Sequence, residues 1–181
     1  MSRVFLVREE GDGSALRDAL AAELGCEVVF LTAADDPVPP DGERRVVLPL
    51  YPQSNDRSGQ MAARVSHATH LVWFSYLDAY AEAVAQGLSG HVVFCAEDLP
   101  DRHGIYRRDV IQSAAAIAAK AGITYEVAFG ESPPEGTRVA LTIPIPCETS
   151  RRWGALPAWG CRPVFVAALA DLVRRALSDD D

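Results

Sequence analysis

Positive charge is in short supply: 17 Lys plus Arg stand against 25 Asp plus Glu, a formal net charge of −8. That balance argues against a non-specific grip on nucleic acid, which needs a basic surface. Cysteine is sparse too. Cys26, Cys95, Cys147 and Cys161 form no CxxC pair and no zinc-finger spacing with histidine, so they read as free thiols in a reducing compartment. The opening MSRVFLVREE has an apolar run of only about five residues, too short for a signal core or a membrane span, so a soluble cytoplasmic protein without a transmembrane segment is expected. GxSxG, P-loop and GxGxxG motifs are absent, and no organic cofactor is predicted.

Apolar residues are plentiful, at 49% of 181, against 23% charged, the balance of a chain able to bury a sizeable core. Short β-branched runs alternate with helix-period stretches, which indicates βα units, a parallel sheet and the α/β class. The expected order begins with strand 3–8, a GDGS turn, helix 14–24 capped by Ser14, strand 26–31, strand 46–50, helix 57–67, strand 70–75 and helix 77–88. It restarts with strand 91–96, helix 106–121 stopped by Gly122, strands 125–129 and 139–145, and an amphipathic closing helix 163–177 with Pro163 in its first turn. The small-residue break at Ser89 or Gly90 divides the chain into an N-terminal half, 1–89, and a C-terminal half, 90–181. Two halves of βα units predict a cleft between them, where a ligand sits.

In open parallel sheets the ligand lies beyond the carboxyl ends of the strands. The residues there are polar: Arg8, Glu9 and Glu10; Tyr51, Gln53, Ser54 and Asn55; Tyr76 and Asp78; Cys95, Glu97 and Asp98; Cys147, Glu148 and Thr149. Glu97 and Glu148 end two strands of one half, where a hard cation or a proton-transfer task would use them; capping the following segment is the competing role. His103, in a loop with Asp101 and Arg102, is a candidate acid, base or ligand. Cys95 is either a soft ligand or a buried strand cysteine. GDGS at 11–14 offers an anion-binding turn or an ordinary one. His67 and His70 would share a metal only on a helix and otherwise read as boundary histidines.

VVLPLYPQS (46–54) resembles the VxLPLYPQYS segment of ferrochelatases, enzymes that insert iron into protoporphyrin. VVFCAEDLPDRHGIYRRDVIQSAAAIAAKAGITYEVAF (92–129) is similar to that family's FSAHGLP segment, the turn and helix after it and the next strand. HLVWFSYLDAYAEAVAQGL (70–88) and CRPVFVAALADLV (161–173) resemble the end of its first half and its closing helix, while 1–45 match only as strand, helix and strand. The resemblance implies two Rossmann-like, chelatase-like halves facing a central porphyrin cleft, with Fe²⁺ or another divalent metal as substrate. Glu97 stands where the family has its metal-insertion histidine, and Glu148, in Cys147-Glu148-Thr149, matches the acidic partner. The family's FQSR arginine is replaced around Gly130-Glu131-Ser132, and the chain is much shorter than the family's usual length.

On this reading Glu97, Glu148 and His103 are the catalytic candidates, Glu97, Glu148 and Cys95 the metal ligands, and Tyr51, Gln53, Ser54, Tyr76 and Tyr106 the substrate-binding set. The first expectation is a compact chelatase acting on a tetrapyrrole or another flat small molecule. The alternatives are an inactive relative that binds tetrapyrrole or metal, and an enzyme that reuses the cleft for another small substrate. The surface left by the missing segments is a candidate for homo-oligomerisation.

Overall fold

The computed structural model describes residues 2–8, 13–71, 78–130, 137–140 and 159–178. Among these, the N-terminal region forms β1 (Ser2–Val7), α1 (Ser14–Leu24), β2 (Glu27–Leu31), β3 (Arg44–Pro49), α2 (Asp56–Ala62), β4 (Thr69–His70) and α3 (Asp78–Ala85). There follow β5 (His91–Ala96), α4 (Ile105–Ala121), β6 (Thr124–Phe129), β7 (Thr137–Ala140) and α5 (Pro163–Ser178). The fold is α/β. One sheet runs β2-β1-β3-β4 and a second β6-β5-β7, and every pairing between these strands is parallel.

Alternation along β1 and β3 explains why the first sheet is covered twice, because successive side chains point to opposite faces. Val4, Leu6, Val46 and Leu48 join the main core with Leu16 and Leu20 of α1 and Phe165, Leu169 and Val173 of α5. Phe5, Val7 and Val47 face the other way, into a smaller core with Tyr51, Met61, Ala62 and Val65. In β5, Val92 to Ala96 are all buried in the main core, with Val110, Ala114 and Ile117 of α4. That core is therefore shared by both sheets. α3 packs against α4 and α5, and α5 returns across the chain to pack on α1 and β3.

Three arginines tie helix ends together by donating to carbonyls that helix geometry leaves without partners. Arg162 donates to the Ala83 and Gln86 carbonyls at the end of α3, Arg174 to the Glu23 carbonyl in α1, and Arg44 to the Leu177 carbonyl in α5. Partial burial lowers the pKa of Arg162 from its ordinary value. A guanidinium remains charged under such a shift and complements the negative end of the α3 dipole.

Several local expectations change. Gly13, not Ser14, occupies the cap position of α1, and Ser14 is the first helical residue. A Cβ at Gly13 would collide with the Phe30 ring, so packing accounts for this glycine of the GDGS turn, whose first two residues lie outside the described set. Helix 57–67 is shorter than its periodicity predicts. It ends at Ala62 because Val65 leaves the helix for a parallel bridge with Val38 and buries in the smaller core. His67 and His70 then fall in a turn and in β4, both exposed, rather than on one helix. Gly122 caps α4 as expected, in the left-handed region at φ 65, which an L side chain enters only with strain. Strand positions 72–75 and 141–145 lie outside the described residues.

Candidate functional site

The loop after β3 and the loop after β5 meet at one cavity of about 300 Å³. Its walls are Ser54, Asn55 and Asp56 from the first loop and Pro100, Asp101, Arg102, His103, Ile105 and Tyr106 from the second. The cavity thus lies beyond the carboxyl ends of one strand from each sheet, where open parallel sheets hold ligands.

Each wall is held by a helix start. Asn55 caps α2 through a reciprocal pair: its side chain accepts from the Ser58 N–H at 2.9 Å, while the Ser58 hydroxyl accepts from the Asn55 N–H at 3.4 Å. The Asn55 amide also donates to the Gln53 carbonyl at 3.0 Å, which fixes the turn. In the other wall Gly104 stands at the cap of α4 with φ 66 and contributes no side chain. Asp101 takes over, accepting from the Arg107 N–H at 2.9 Å. Backbone N–H groups at the start of α4, chiefly that of Arg107, hold the Asp101 carboxyl below its ordinary pKa.

Beneath the cavity lies an uncharged, buried network. Gln53 donates through Nε2 to the Tyr80 hydroxyl at 2.9 Å and to the Ser113 hydroxyl at 3.3 Å, which links the first loop to α3 and α4. Among the described residues Gln53 Oε1 is buried without a hydrogen-bond partner. Burial pushes the Tyr80 phenol above its ordinary range, so it stays neutral. The Tyr80 ring meets Trp159 edge-on at 5.3 Å and lies 6.4 Å from Phe165. The Ser54 N–H donates to the Asp109 carboxylate at 3.3 Å, a second tie from the first loop to α4.

The rim is ionic. Arg57 Nη1 lies 3.0 Å from Glu97 Oε2, joining the first turn of α2 to the residue after β5. The Tyr106 hydroxyl donates to the Glu97 carbonyl at 3.0 Å, so the backbone carrying this carboxylate is anchored on α4. Arg107 pairs with Asp98 and lies over the Phe129 ring at 4.5 Å.

Of the residues singled out in the sequence, Ser54, His103 and Tyr106 line the cavity, Gln53 lies beneath it and Glu97 stands at its rim. Tyr51 is in the smaller core, and Cys95 is a buried strand cysteine whose thiol donates to the Val93 carbonyl at 3.6 Å. Tyr76 and Glu148 lie outside the described residues. Among the described residues no three His, Cys, Asp or Glu side chains gather as a metal site. Sequence reasoning missed Arg57, Tyr80, Asp109 and Ser113. A cation in the first turn of a helix opposes the dipole, and a serine on the apolar stripe of α4 interrupts it; both were signals.

Among the described residues no helix is long and apolar enough to cross a membrane. Comparison of the chain with protein-family models and with curated proteins finds no match.

Proposed function

We propose that this chain is a compact chelatase-like protein, built as two Rossmann-like halves, that takes a tetrapyrrole or a related flat molecule into the cavity between the β3 and β5 loops. The observation that carries this reading is convergence. YPQS and AEDLPDRHG, two segments that hold the ferrochelatase resemblance, lie over 40 residues apart and contribute to the walls and rim of one cavity. Inserting a divalent metal such as Fe²⁺, here a substrate, requires groups that accept two pyrrole protons and release the metal from weak ligands. Glu97 and Glu148 are assigned to that work, with His103 as an auxiliary base.

A second reading has its own support. The Glu97 carboxylate is engaged by Arg57, and a carboxylate held by a guanidinium must give up that ion pair before it can serve as a metal ligand. That favours a protein that binds the macrocycle without metalating it.

Anaerobic titration with porphyrin and Fe²⁺ or Zn²⁺, followed by visible spectroscopy, separates the two. Conversion above the protein-free rate that disappears in Glu97→Gln supports the chelatase. A porphyrin complex without conversion supports the binder, and an unchanged spectrum overturns both.

A further inference from the structure

The Arg57–Glu97 pair is poorly explained as a stabilising contact. The Arg57 side chain is 42% exposed, and exposed ion pairs contribute little to folding. Arg57 is the second residue of α2, where the positive end of the dipole disfavours a cation, so the helix gains nothing from it. Stability instead comes from the buried Gln53, Tyr80 and Ser113 network beneath and from the shared core.

Three neighbouring carboxylates have other tasks. Asp101 caps α4, Asp98 pairs with Arg107, and Asp109 accepts from the Ser54 N–H. Glu97 differs from these in reaching across from the second sheet to a cation on the first sheet's loop, beside the cavity. Its own side chain is only 17% exposed, so the carboxylate is largely shielded from bulk water. A guanidinium on the rim, already engaged in recognising a carboxylate, has the chemistry to recognise one on a ligand.

We infer that Arg57 is the carboxylate-recognition residue of the cleft, and that Glu97 is the internal stand-in it holds until a ligand carboxylate takes its place. The inference rests on the tetrapyrrole reading above, since many tetrapyrroles carry carboxylate arms. One carboxylate replaces another on the same cation, so the exchange is close to balanced and the ligand's remaining contacts decide it. Glu97 therefore acts as a competitor for the anionic arm, and the cleft selects acids over their neutral analogues.

The test compares a porphyrin carrying carboxylates with its methyl ester, titrated by fluorescence quenching against the full chain and its Arg57→Ala, Arg57→Lys and Glu97→Gln variants. Arg57→Ala should weaken binding of the acid at least tenfold and leave the ester unchanged, with Arg57→Lys between it and the parent. Glu97→Gln should tighten the acid several-fold and not the ester. A merely structural pair would move acid and ester together; that result, or a weaker acid complex in Glu97→Gln, overturns the inference while the tetrapyrrole reading survives. Failure of both macrocycles to bind removes the tetrapyrrole reading instead. Titration with benzene-1,3,5-tricarboxylate then decides the inference alone: binding lost in Arg57→Ala and strengthened in Glu97→Gln sustains it, and no such dependence overturns it.

Discussion

The floor and the rim of the cleft solve the same problem, joining the β3 loop to the second sheet, with opposite chemistry. The floor uses neutral groups out of water, Gln53, Tyr80 and Ser113, backed by Trp159 and Phe165. The rim uses charges in partial contact with water, Arg57 and Glu97. A neutral hydrogen bond in a buried setting is costly to disrupt, because the group left behind cannot turn to solvent. An ion pair at the surface is cheap to disrupt, because water and salt replace either partner. The floor is thus the fixed part of the site and the rim the exchangeable part.

The largest expected effect comes from removing the floor. Tyr80 is fully buried, and Tyr80→Ala deletes an aromatic ring packed against two others, which should cost about 3–5 kcal/mol in denaturant unfolding. Tyr80→Phe sharpens the comparison by keeping the ring. It removes one acceptor of Gln53 Nε2 while Ser113 remains, so the expected loss is roughly 1 kcal/mol. If Tyr80→Phe were as damaging as Tyr80→Ala, the network and not the ring would be the main support.

This contrast marks what could be read in advance. β1, β3 and β5 were legible because their apolar residues serve sheets buried on one or both faces, and that pattern survives without knowledge of tertiary neighbours. Ser54, His103 and Tyr106 were legible because the carboxyl ends of parallel strands point to one edge. Tyr80, Ser113 and Asp109 were not, because their roles depend on the β3 loop reaching α3 and α4, contacts that no local periodicity specifies. The early end of α2 was hidden for the same reason: Val65 pairs with Val38, far away in the chain. Helix-capping arginines are also non-local, since Arg162 serves a helix that ended over 70 residues earlier.

Between floor and rim stands the Asn55 cap. Asn55→Ala removes an acceptor from the Ser58 N–H and a donor from the Gln53 carbonyl, and should cost about 1 kcal/mol. Because the same residue lines the cavity, ligand affinity should fall with it. Asn55→Asp, which keeps the capping oxygen, should recover most of the stability when both variants are melted side by side.

The smallest stability effect should be at the rim itself. Arg57→Ala should change unfolding free energy by about 0.5 kcal/mol or less, and raising the salt from low to molar concentration should erase the difference. A larger, salt-insensitive loss would make Arg57 part of the fixed framework.

Asp101 tests the cavity wall by pH. The N–H groups at the start of α4 lower its pKa in the folded protein, so the unfolded chain binds its proton first as the solution is acidified. The stability it supplies is therefore present above the ordinary aspartate value of 3.8 and fades as pH falls from there through the depressed folded value. Asp101→Asn cannot titrate, and its melting temperature should fall less steeply than the parent's over that interval. Asp35 and Asp41 are shifted the same way by their own hydrogen bonds, so an acid dependence should persist in the variant. Equal slopes in parent and variant would mean that Asp101 caps α4 no better when charged than when neutral.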